Sequence, residues 1–174
     1  PVSNTKIIAV SKTFPLDHIK PLINYGHLHY GENKVQEALV KWKDIKYEKK
    51  NLQLHMIGKL QSNKAKSAVQ LFDFIHSLDN PKLADILSNS EKNLGRNLKY
   101  FIQVNVGNEL QKSGISIGEL ESFYNYCSKE KNLNVIGLMV IPPNDNNSKK
   151  YFKTLKDLNL TLGLQDLSMG MSAD

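Results

Sequence analysis

The 174 residues contain one cysteine, Cys127, so neither a disulfide framework nor a thiolate metal cluster can be built. A reducing, cytoplasmic compartment is the expected setting. Arginine is as scarce: of 23 basic residues only Arg96 carries a guanidinium. The net charge of +6 therefore comes from lysine, and nucleic-acid recognition, which favours the planar arginine fork, is not expected. The longest apolar run, Val135 to Ile141, is far short of the ~18 residues that span a bilayer. No membrane partner and no signal peptide are expected.

Other absences concern chemistry. The five histidines show only one close pair, His27 and His29, with no His-Glu helix motif, so no metal site is expected. No Gly-x-Ser-x-Gly elbow and no Walker-type phosphate loop occur. Cys127 falls on a helical core face and reads as packing.

What is present is a regular alternation. Ile7 to Val10 reads as a buried strand, followed by a helix with Pro15 in its first turn, an Ile19, Leu22, Ile23 stripe and a stop at Gly26. A strand near Leu28 to Tyr30 precedes a helix carrying Val35, Ala38, Leu39 and Trp42. Leu52 to Ile57, Phe74 to Leu78, Tyr100 to Val106, Val135 to Ile141 and Leu167 to Met171 read as further strands. Between them lie helices marked by Ser62 as a cap, by Asn80-Pro81 with Gly95, by a Ser116/Glu119 capping box, and by Tyr151, Leu155 and Leu158. Lysines 41, 43, 46, 49 and 50 read as a solvated helix end, and His27 and His29 as flanking a turn. Seven βα units imply an α/β protein with a parallel sheet, and a chain this long forms about one domain.

An open doubly wound sheet and a (β/α)8 barrel both fit this order. The barrel also accounts for polar residues at strand ends: Lys12, Asn33, His55 with Gly58, Ser77 with Asp79, Asn105, and Ser168 with Ser172. In a barrel these converge on one mouth. Lys12 directly follows an apolar strand, where it is either a cation that snorkels to solvent or an amine able to attack an aldehyde. Gly114 and Gly170 mark tight turns or close approaches to the backbone. The segment Ser168 to Ser172 is either a small-residue turn or a phosphate cradle.

Taken together the segments resemble the pyridoxal phosphate homeostasis protein family, relatives of the amino-terminal barrel domain of alanine racemase. The matching stretches run in order: AVSKT at 9–13, YGENKVQE at 30–37, LHMIGKLQSNK at 54–64, IHSLD at 75–79, IQVNV at 102–106, KSGI at 112–115, GLMVIPP at 137–143 and LSMGMSAD at 167–174. The resemblance implies one (β/α)8 TIM barrel across 1–174 that binds pyridoxal 5′-phosphate (PLP) at its mouth. Lys12 matches the lysine that forms the Schiff base. Asn33 and His55 are then expected near the cofactor, and Ser168, Met169 and Ser172 along it from the last strand. Lys112 matches a second lysine on a loop, where it either passes on cofactor or is a surface charge.

The chain departs from the family in having Leu54 before the motif histidine and Lys59 after the glycine, where Trp and often His are usual. The family also has a helix before the first strand, and after the last one a helix, a Gly-Ser-Thr phosphate turn and a final strand bearing an arginine. The polypeptide is accordingly expected to extend beyond Asp174, with an eighth strand closing the barrel. The implied function is cofactor buffering or delivery by a cytoplasmic monomer, with apo-enzymes as recipients and without robust turnover. An amino-acid racemase is the alternative, and a barrel that binds no cofactor is a third reading.

Overall fold

The computed structural model describes residues 4–107, 110 and 113–170. Seven strands lie side by side, all parallel: β1 (Ala9–Val10), β2 (His29–Glu32), β3 (Gln53–Met56), β4 (Phe74–Leu78), β5 (Lys99–Asn105), β7 (Asn134–Val140) and β8 (Asp166–Met169). A two-residue strand, β6 (Ile115–Ser116), pairs on β5 beyond the main path and was not expected from the sequence. Helices α1 (Leu16–Tyr25), α2 (Val35–Glu48), α3 (Ala65–Leu71), α4 (Pro81–Leu94), α5 (Leu120–Asn125) and α6 (Ser148–Thr161) connect the strands. The fold is the expected α/β barrel wall. Among the described residues it is open between β1 and β8.

The strand side chains alternate between two environments, as a two-residue repeat demands. Tyr30, Leu54, Met56, Ile75, Tyr100, Ile102 and Leu138 are buried in one apolar cluster with Ile19, Trp42, Ala68, Leu87 and Leu155 of the helices. The alternate residues, His29, His55, Phe74, His76 and Phe101, contact one another on the inner face. Cys127 is fully buried as expected, and burial pushes its thiol up to about 12.

Local signals were honoured where they were strong. Gly26 and Gly95 end α1 and α4 in the left-handed conformation, and the Asn80 side chain accepts the Leu83 amide at the start of α4. Other expectations need correction. Pro15 is the residue before α1, not within its first turn. The first strand is short and poorly covered: Ile7 is 74% and Val10 48% exposed, because β1 has a neighbour on one side only. Ser62 makes no cap hydrogen bond. The Ser116 hydroxyl donates to the Glu119 carboxylate at 2.6 Å, leaving the helix amides uncapped by it. His29, expected to flank a turn, opens β2 three residues after the Gly26 turn, and its ring lies on the inner face.

In the lysine run, Lys43, Lys49 and Lys50 are exposed as expected, but Lys41 and Lys46 turn inward. Lys41 is buried against Glu32 at 2.7 Å, and Lys46 binds Asp73 at 2.6 Å. Asp73 also accepts the Leu54 amide, and the lone Arg96 joins it at 3.4 Å while donating to the Val69 and Gln70 carbonyls near the end of α3. Carboxylates on β2 and just before β4 draw these cations inward.

Candidate functional site

The parallel register sets which residues share the rim. Val10 pairs with Gly31 and Gly31 with His55. In sequence, Lys12, Asn33 and Ile57 follow the ends of β1, β2 and β3, on the carboxyl side where barrel sites are built. Ile57 and Ile8 fill the space over Gly31, where an added Cβ would lie 2.9 and 3.0 Å from them. Gly58 is pressed against Asn33, and a Cβ there would come within 2.6 Å of the Asn33 carbonyl oxygen. That glycine is thus required by the backbone approach that packs it against Asn33.

Lys12 is held from both sides in sequence. On one side, the Ser11 amide donates to the Gly31 carbonyl at 3.0 Å and the Ser11 hydroxyl donates to Glu32 Oε1 at 3.0 Å. The Lys41 ammonium donates to the Ser11 carbonyl at 2.6 Å and to the same Glu32 oxygen at 2.7 Å. Trp42 Nε1 adds a third donor to Glu32 Oε1 at 2.8 Å. On the other side, the Thr13 amide donates to Glu37 Oε1 at 2.6 Å, which holds the Glu37 carboxyl below the usual carboxylate range. Thr13 has φ of 66°, a left-handed conformation unfavourable for a β-branched residue. Strain of this kind persists only where surrounding contacts over-determine it. Here they do, and they turn the chain sharply just after the lysine. Lys12 itself is half-buried and makes no ion pair among the described residues.

His55 stands one residue before the carboxyl end of β3. It is 4% exposed and stacked on Phe74 with ring centroids 4.1 Å apart. Its Nε2 hydrogen-bonds His29 Nδ1 at 2.9 Å and its Nδ1 hydrogen-bonds His76 Nε2 at 2.8 Å. His76, stacked on Phe101, continues through Nδ1 to the Ser168 hydroxyl at 2.6 Å. Burial lowers His55 to about 2, helped by the neighbouring histidines, and burial alone lowers His76 to about 3. Both imidazoles are therefore neutral near pH 7.

Of the remaining expected residues, Ser168 is half-buried and Met169, next to it at the end of β8, is 48% exposed. Ser172 and Lys112 lie outside the described residues. Gly114 is confirmed as a close approach: at φ of 120° its Cβ position is 2.7 Å from the Asn105 amide nitrogen, and its own amide donates to Asp79 at 3.0 Å. The sequence reading missed Glu32, Lys41, His29 and His76. Only Glu32 carried a signal: an acid in an otherwise buried strand needs a cation beneath it.

A parallel β/α barrel with a lysine fixed behind its first strand defines a class, the alanine racemase N-terminal domain, whose family model matches residues 2–174. Within that class the likeness is narrower. A pyridoxal phosphate homeostasis protein of Aquifex aeolicus is 37% identical over 180 residues, covering 97% of this chain and 77% of the relative; one of Escherichia coli is 31% identical over 177 residues, covering 97% and 76%. PipY of Synechococcus elongatus, solved with PLP bound, superposes with a TM-score of 0.83 at 35% identity, covering 98% of this chain and 83% of that one. Alanine racemase of Corynebacterium glutamicum shares the fold alone, at a TM-score of 0.70 and 17% identity over 96% of this chain and 48% of its own. The chain belongs to the pyridoxal phosphate homeostasis protein family.

Proposed function

We propose that this chain binds pyridoxal 5′-phosphate at the barrel mouth through Lys12 and serves to hold and release the cofactor. The observation that carries the reading is the double anchoring of Lys12, by Ser11 on Glu32 and Lys41, and by Thr13 on Glu37. When bound, the cofactor would supply an aldehyde carbon open to attack by a neutral amine. Lys12 is the amine, and Asn33 and Ser168 are the rim residues whose side chains can hydrogen-bond cofactor oxygens. Met169 offers an apolar edge. The names of the relatives and the PLP carried by PipY support the same reading. Ser172 and Lys112 join the proposal as a cofactor contact and as a lysine that accepts or passes on cofactor. Apo-enzymes are the proposed recipients.

The alternative is turnover of an amino acid, which needs an acid or base on each face of the reacting carbon. The described residues do not favour it. At the inner face both ring nitrogens of His55 are bonded to His29 and His76, those of His76 to His55 and Ser168, and the Tyr30 and Tyr100 hydroxyls are bound to the His27 carbonyl and to Glu91. Titrating dialysed protein with PLP should give a saturable visible absorbance of one equivalent per chain. The loaded protein should then leave the α-proton of alanine in deuterated buffer unexchanged at enzymic rates. Absence of saturable binding would sink the cofactor reading, and rapid exchange would make the protein a racemase-like enzyme.

A further inference from the structure

The inner face carries a continuous chain of hydrogen bonds with one end at each end of the barrel. His29 opens β2 at the amino-terminal end and is half-buried; His55 and His76 are 4% and 1% exposed; Ser168 stands one residue from the carboxyl end of β8. The links are 2.9, 2.8 and 2.6 Å, and each uses the Nδ1 of one ring and the Nε2 of the next, or the final hydroxyl. The stacking of His55 on Phe74 and of His76 on Phe101 fixes the ring planes.

A neutral imidazole carries one hydrogen, so each ring donates through one nitrogen and accepts through the other. Only two arrangements then satisfy every link. In the first, all three rings carry hydrogen on Nδ1: His29 donates to His55, His55 to His76, and His76 to the Ser168 oxygen, leaving the hydroxyl hydrogen free. In the second, all three carry it on Nε2, and Ser168 must spend its hydrogen on His76 Nδ1. Any mixed state places two hydrogens or two lone pairs face to face in a dry interior, where an unmade hydrogen bond is most costly. Burial keeps His55 and His76 uncharged, and His29 is lowered by burial and by Lys6 and His27, so neutral rings are the operative state.

We propose that His29, His55 and His76 act as a single two-state tautomer chain that sets whether Ser168 offers a donor at the mouth, and that an anionic oxygen bound there selects the all-Nδ1 state. The second half rests on the cofactor reading above; the first does not. His76 is a positioning residue for Ser168, and His55 and His29 act through it. The two patterns interconvert by three hydrogens shifting along the links while His29 Nε2 takes up one proton from solvent and Ser168 releases its original hydroxyl proton to solvent, or the reverse, with no net change in charge.

The test is nitrogen-15 NMR of the histidine rings in the intact protein, which separates the two neutral tautomers directly. Without ligand the three rings should show one common ratio of Nδ1-H to Nε2-H. Unequal ratios overturn the chain whether or not PLP binds. On adding PLP, with binding followed separately by absorbance, all three should move together to Nδ1-H, including His29 at the far end. Binding without that movement overturns the selection. In His55→Phe, which keeps a ring on Phe74, His76 should still respond to PLP while His29 no longer does; a His29 that responds as before would overturn relay through His55. If that variant does not fold, the wild-type ratios already decide. Failure of PLP to bind at all refutes the cofactor reading, and the ligand-free ratios still judge the chain.

Discussion

Lys12→Ala should lose borohydride-stable labelling by PLP entirely while melting within about 2 °C of the parent. The two halves of this expectation come from different physics. Labelling needs a carbon–nitrogen double bond for hydride to reduce, and the proposal gives that bond to one amine. Alanine removes it, and 21 other lysines remain as a built-in control for scattered reaction. Stability should hold because Lys12 is half-buried and makes no ion pair among the described residues, so its truncation leaves no orphaned partner. Substitutions of that kind stay within roughly 0.5 kcal/mol, worth about 2 °C in a domain of this length. Retained labelling would move the site elsewhere, and unfolding would mean that Lys12 is structural.

Lys41→Met should act in the opposite way, destabilising the fold by roughly 3–5 kcal/mol in urea unfolding, the usual cost of stranding one member of a buried ion pair. The side chain of Lys41 is 7% exposed and that of Glu32 is 0% exposed. Removing the ammonium leaves a buried carboxylate with only the Ser11 hydroxyl and the Trp42 indole as donors. The paired variant Lys41→Met with Glu32→Leu should recover most of the stability, because two apolar groups of similar size need no desolvation. It should not recover PLP labelling at Lys12. Ser11 would keep its amide bond to the Gly31 carbonyl but lose both its Glu32 acceptor and the Lys41 donor on its carbonyl, and Glu37 would lose Lys41 as well, so both flanks of Lys12 would be loosened. Recovery of both properties together would show that the Glu32–Lys41 pair stabilises the fold without positioning Lys12.

These residues also mark the boundary of what the sequence makes legible. The strand Phe74–Leu78 and the helix between Asn80 and Gly95 are readable because their determinants are local: an apolar run, an amide-capping side chain and a left-handed glycine. Lys12 stands out for the same reason, as a charge directly behind an apolar strand. Lys41 and Lys46 are misread because a lysine-rich helix end looks solvated unless the carboxylate beneath it is known. Those carboxylates come from another element, Glu32 on β2 and Asp73 just before β4, the second 27 residues away. The histidine chain is still less visible. Its rings are 26 and 21 residues apart and its last link joins His76 to Ser168 across 92 residues, so only the closing of the barrel wall brings them into line. His55 is legible as a residue near the end of its strand, but its bonds to His29 and His76 are not, since strand periodicity gives its face and only the register gives its neighbours.

The central claim is that one lysine among 22, held at the carboxyl rim, takes the cofactor. It is tested most directly by reducing the PLP-loaded wild-type protein with borohydride, measuring its intact mass, and mapping the modified peptide. The account predicts a single pyridoxyl phosphate adduct on the peptide that contains Lys12. An adduct confined to another lysine, or spread over many, would contradict it.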